Sequence, residues 1–252
     1  MPGRRDGRCE YDRERRSTIA SCRKGATALT GDSLLDSATI QEISRLFLPN
    51  RWHYHYARTK LATDPVYAVV TDALVGTHAP LLDLGCGVGL LPHYAQARGI
   101  SLEYLGVDND VRKLALARAV AVRGALRNAR FETVDLAQGF PEHRGSVAIL
   151  DLLQFLPVGR VADFLALAAD CVSAEGRLII RTGLNDDGWR TRLTRAADHL
   201  ARAIRWMHAG PRSYPTREFL VKHLEAQGLE LMFTPMRCNT PFNNWLIVAR
   251  RS

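Results

Sequence analysis

The sequence predicts an α/β fold built on a doubly wound, mostly parallel sheet, with a helical extension before it. Three observations predict this. Short apolar runs alternate with helical patterns from residue 79 onward. One run leads into a glycine cluster, LLDLGCGVG at 81–89. Aspartates then stand at the ends of successive runs. Strands separated by helix-length segments require crossovers, which are right-handed and lay the strands parallel.

The elements follow in order. Asp32 and Ser33 read as a helix-start signal before Leu34, Leu35, Ile40, Ile43, Leu46 and Phe47, and Pro49 stops that helix. Residues 51–61 form an unusually aromatic second segment, and Asp64 with Pro65 opens a third helix to about Val75. Strands are expected at 80–84, 102–107, 130–134, 147–150 and 176–181, with helices at 90–98, 111–123 and 158–171 between them. A helix over 189–207 leads to a loop at Gly210 and Pro211. Thr216 then caps a helix that Gly228 stops. Two last apolar runs, 229–233 and 245–249, read as a hairpin closing a sheet edge. Residues 1–30, rich in Arg, Gly, Ser and Asp without apolar periodicity, read as a disordered basic tail. Residues 31–78 form a helical cap, and 79–252 the domain that carries the site.

Composition narrows the class. No apolar run approaches the roughly 18–20 residues that span a bilayer. The basic start lacks the apolar stretch of a secretory signal, so a cytoplasmic protein is expected. Cys9, Cys22, Cys86, Cys171 and Cys238 are scattered and form no C-x-x-C pair, so neither a disulfide framework nor a metal site is expected. The net charge of +8 is uneven. Residues 1–24 carry 8 Lys/Arg against 4 Asp/Glu, 25–176 carry 13 against 16, and 177–252 carry 13 against 6. The part that holds the glycines is slightly acidic. The cluster Arg190, Arg192, Arg195, Arg202 and Arg205 suits a solvated helix face or, alternatively, an acidic partner.

The chemistry concentrates at the strand ends. Gly85, Gly87 and Gly89 allow positive φ and let a ligand approach the backbone, and the helix behind them favours an anionic group. Related loops serve dinucleotides, but a G-x-G-x-x-G fingerprint needs glycine where this chain has Leu90. Asp83 precedes the first glycine, where it suits a positively charged amino-acid moiety. Asp108 ends the second strand, placed to accept both hydroxyls of a ribose. Asp135 follows the third strand, where a carboxylate can take an adenine amino hydrogen, and Asp151 ends the fourth. Doubly wound sheets bind ligands at this C-terminal edge.

With these residues in place the sequence resembles the class I, Rossmann-like methyltransferases that depend on S-adenosylmethionine (SAM), over roughly residues 50–182. The resemblance implies a seven-stranded sheet whose last strand runs antiparallel, and SAM as cofactor. It implies that Asp83, Gly85 and Gly87 hold the methionine end, with Cys86 also at the cofactor, Asp108 the ribose, and Asn109, Asp135 and Leu136 the adenine, with Asp151 beside the reactive methyl. In the aromatic segment, Tyr54, Tyr56 or Arg58 is a candidate to close over SAM or the acceptor, with Arg51 and Arg58 to pair the SAM carboxylate, while aromatic faces suit a sulfonium. The same segment reads first as an amphipathic helix docking on the sheet, and the two readings are compatible.

Methyl transfer asks the protein mainly for proximity and alignment. His53, His55 and Asp151 are the candidate bases, and Arg181 a candidate orienter of an anionic acceptor. The chain lacks the Asp/Asn-Pro-Pro-aromatic motif of exocyclic-amine nucleic-acid enzymes, a strand-end cysteine nucleophile, and the Asp-Asn pair of Mg-dependent catechol-type enzymes. A small-molecule acceptor for O- or C-methylation in bacterial-type biosynthesis is the leading expectation. Residues 51–65 and 241–250 are similar to methyltransferases of acyl-chain or aryl-polyene-type biosynthesis. The alternatives are an RNA- or protein-directed enzyme docking through the basic C-terminal third, and a catalytically silent binding protein.

Overall fold

A strand that is buried along its whole length must lie inside a sheet, with helices on both faces. β1, Leu81–Leu84, is such a strand. It pairs in parallel with β2, Tyr104–Asp108, on one side and β4, Ser146–Leu150, on the other. The structure, a computed structural model, describes residues 34–185, 214–236 and 243–251. The expected tail over 1–30, the helix over 189–207 with its arginines, the loop at Gly210 and most of the hairpin loop lie outside these.

Seven strands form one sheet in the order β3-β2-β1-β4-β5-β7-β6, where β3 is Ala129–Thr133, β5 Leu178–Gly183, β6 Leu229–Pro235 and β7 Asn244–Arg251. β7 runs antiparallel to both β5 and β6 and, among the described residues, is the only reversed strand. The hairpin therefore inserts its second strand, not its first, against β5. β1 and β4 flank the point where the strand order reverses, which in open α/β sheets is where ligands bind.

Helices cover both faces. On one, Leu82, Leu84, Val147, Ile149 and Ile180 pack against α6, Val161–Asp170, and α7, Arg217–Glu225. On the other, Leu81, Phe131, Ala148 and Ile179 meet α3, Val66–Leu74, α4, Leu90–Ala97, and α5, Val111–Arg123. A third apolar cluster joins α1, Ser37–Arg45, and α2, Arg51–Thr63, to Val88, Leu90, Tyr94 and Val120. The helical cap thus seats on the segment that follows the glycines.

Two helix starts differ from expectation. α1 opens at Asp36, beyond Asp32 and Ser33, because the Asp36 carboxylate reaches the Thr39 N–H at 2.7 Å and so satisfies a first-turn amide. The helix expected from residue 158 begins as a 3-10 turn, Val158–Arg160, and becomes α-helical at Val161.

Candidate functional site

The glycine loop is held from below by β2. The amides of Gly85 and Cys86 both donate to the Val107 carbonyl, at 2.8 and 3.0 Å. The Gly87 amide donates to Asp108 Oδ2 at 3.0 Å, and the Asp110 amide to Asp108 Oδ1 at 2.9 Å. Asp108 therefore fixes the loop, while each carboxylate oxygen keeps a further lone pair for a ligand. Gly89, at φ 73°, could take no side chain, because a Cβ there would lie 2.7 Å from the Phe131 ring. A Cβ on Gly87 would meet nothing within 4 Å, so the loop is open at that residue. Cys86 is half-buried, its sulfur packed where Gly106 has no side chain, and burial pushes its thiol pKa up.

The four aspartates are not level. Asp83 is paired with Gly106 inside the sheet, two residues deeper than Asp108. It is 3% exposed, and the Tyr104 hydroxyl donates to its Oδ2 at 2.6 Å. Burial, aided by nearby Asp108 and opposed by the Tyr104 bond, pushes its pKa up to about 7. Asp135 lies beyond β3, exposed, accepting from the Ala137 amide at 3.0 Å and the Gln138 carboxamide at 2.9 Å. Leu136 packs partly buried beside it, and Asn109 is exposed.

Asp151 sits just past β4 in the left-handed region at φ 57°. The Arg181 guanidinium on β5 donates to it, and also approaches Asp64 Oδ2 at 3.3 Å. Lys60 Nζ lies 2.5 Å from Asp64 Oδ2 and 4.0 Å from Asp151 Oδ2. Two cations and two carboxylates thus tie the end of α2 to β4 and β5. Burial alone would raise the Asp64 pKa, but Arg181 and Lys60 hold it low. Burial disfavours the charged form of Arg181, yet Asp151 and Asp64 reverse this and raise its pKa. Burial raises the phenol pKa values of Tyr56 and Tyr67 beside the same groups, so both stay neutral.

Helix geometry sorts the aromatic segment. At about 100° per residue, His53, Tyr56 and Lys60 fall within an arc of about 60°, on the side that Lys60 turns to Asp151, and Arg51, His55 and Arg58 fall opposite. The last three are exposed. Arg51 and His55 instead border a surface cavity of about 520 Å³ with Arg45 and Tyr54. His53 is partly buried, which lowers its pKa, and its Nδ1 has no partner. The structure therefore brings together Gly85, Cys86, Gly87 and Asp108, and separately Asp151, Arg181 and Tyr56. It leaves Arg51, His55 and Arg58 apart from both groups. A second cavity, of about 300 Å³, opens at the other end of the strands, among Leu81, Tyr104 and Ala129.

Sequence reasoning missed Lys60, Asp64 and Tyr67. The Lys60/Asp64 spacing was a visible signal, since residues four apart on a helix can pair, and Asp64 also accepts the Val66 amide at 3.0 Å to start α3. Among the described residues, no group of three or more potential ligands could hold a metal ion. No described helix is long and apolar enough to cross a membrane.

No protein-family model matches the chain, and no curated protein matches its sequence. Solved structures match its fold. Magnesium protoporphyrin IX methyltransferase from Synechocystis PCC 6803, with bound SAM, shares 21% identity at a TM-score of 0.57, over 86% of this chain and 98% of that one. An O-methyltransferase family protein from Burkholderia thailandensis shares 19% at a TM-score of 0.62, over 84% of this chain but only 63% of its own length. The [4+2]-cyclase SpnF shares 16% at a TM-score of 0.54, over 75% of this chain and 81% of that one. The chain therefore has the fold of the class I SAM-dependent methyltransferases that its sequence resembles.

Proposed function

We propose that the protein transfers the methyl group of SAM to a small-molecule acceptor, by O- or C-methylation in bacterial-type biosynthesis. One observation carries this reading: a glycine loop, open at Gly87, is gripped by the Asp108 carboxylate beside the reversal point of the sheet. The donor set suits SAM. Asp108 and Asp135 offer acceptors to the ribose and adenine, and the loop amides offer donors to a carboxylate. SAM bound there would supply an activated methyl group.

The chain's own part is to bind and align. Lys60, Asp64, Asp151 and Arg181 lock the cap to the strand ends, which holds the acceptor edge in place and limits water. Asp151 is engaged by Arg181, which disfavours it as a free base. His53, neutral and on the edge-facing side of α2, is better suited to take a proton. A structural neighbour named for a small acceptor, magnesium protoporphyrin IX, supports the acceptor class. A fold neighbour named as a cyclase makes the direct assay necessary.

The experiment is calorimetric SAM binding followed by labelled SAM in host extract, and label is expected in a small molecule. Label in RNA or protein would overturn the acceptor class, and no SAM binding would overturn the whole reading. Asp108→Ala is expected to weaken SAM binding about tenfold through lost charge-assisted hydrogen bonds. Unchanged calorimetric affinity would remove the ribose role.

A further inference from the structure

Past β4 the left-handed Asp151 turns the chain into a 3-10 turn, Leu153–Phe155. Groups already described bracket this turn on both sides. Leu152 Cδ1 lies 3.2 Å from where a Cβ on Gly85 would be. The Asp151 amide donates to the Arg181 carbonyl at 2.9 Å. Within the turn Leu153 is 1% exposed and fills the core, as its apolar side chain requires.

Gln154 does not fit that logic. It is 8% exposed, and its Oε1 is buried with no hydrogen-bond donor. A buried acceptor left unpaired costs about 1–3 kcal/mol, and leucine or methionine would fill similar space without that cost. Arg181 Nε, nearby on β5, is likewise buried and unpaired. Unpaired donor and acceptor groups on adjoining elements at one sheet edge mark a place built for a polar ligand.

We propose that Gln154 is a binding residue whose carboxamide oxygen accepts an N–H from the ammonium of SAM's amino-acid end. This rests on the SAM reading. With the ribose at Asp108 and the adenine outward past β3, the amino-acid end runs the other way, over β1 toward β4. Leu152, which leads into the Gln154 turn, packs against Gly85 there. The ammonium is the donor at that end of SAM, and an acceptor oxygen is what it needs.

The test uses Gln154→Met and Gln154→Leu in the full chain, with S-adenosylhomocysteine as the probe. Calorimetry gives its affinity, and thermal unfolding gives the stability of the ligand-free protein. The expected result is binding weakened fivefold or more in both variants, with a ligand-free Tm no lower than wild type. A smaller change in affinity overturns the proposal. So does weaker binding with a lowered ligand-free Tm, which would mark Gln154 as a packing residue. Wild-type protein that fails to bind the probe would instead overturn the SAM reading, and this proposal with it.

Discussion

At Asp83 a carboxyl group lies under the glycine loop, where burial makes its charge expensive. The sign of its effect on stability follows from its pKa of about 7 against an ordinary 3.8. Below 3.8 the folded and unfolded chains both hold the proton. Between 3.8 and about 7 only the folded chain holds it, so stability falls as pH rises, and above about 7 the penalty is constant. Asp83→Asn keeps an acceptor for Tyr104 and removes the penalty. Its Tm is expected to exceed that of wild type by several degrees more at pH 8 than at pH 5, at about 2–4 °C per kcal/mol. An equal difference at both pH values would mean that Asp83 does not titrate there. Residues whose role is backbone geometry or strand-end position, such as Gly85, Gly87 and Asp108, were legible in the sequence. Gln154 was not, because nothing in its neighbours announces that its oxygen is buried.

Among elements, α2 shows how a helix can be read correctly and its faces misassigned. Its aromatic and basic content marked the segment 51–61, but the side facing the sheet is fixed by partners far away in sequence. Asp151 and Arg181 choose Lys60 and leave Arg51 and Arg58 outward. The strand pattern was legible because buried parallel strands are apolar throughout. The place of β7 between β5 and β6 was not, since it depends on pairing rather than pattern. Removing one partner from a buried ion pair costs about 3–5 kcal/mol, because the others are left uncompensated. Arg181→Met, with a side chain only 9% exposed, is therefore expected to lose about 3 kcal/mol in urea unfolding. Arg250→Met, from a pair whose side chains are 73% and 60% exposed, is expected to change stability by less than about 0.5 kcal/mol. Similar losses for the two variants would remove the network's structural role.

At the scale of the whole molecule, cap and sheet share apolar surface and ion pairs, so they have no independent cores. A single cooperative thermal transition is expected. Saturation with S-adenosylhomocysteine at about 100 times Kd adds about 2.7 kcal/mol and raises the Tm by roughly 5–10 °C. Two transitions, with only one responding to ligand, would show the cap to be a separate unit. The order of the strands has one more effect. Among the described residues, closing one side with the hairpin leaves β3 and β6 as the edge strands, where a strand from another molecule could add. β3 presents Arg130 and Glu132 to solvent, and β6 presents Glu230, already engaged by Arg250. Any visiting strand would have to strip water from these charges, so the same strand order also discourages edge-to-edge aggregation.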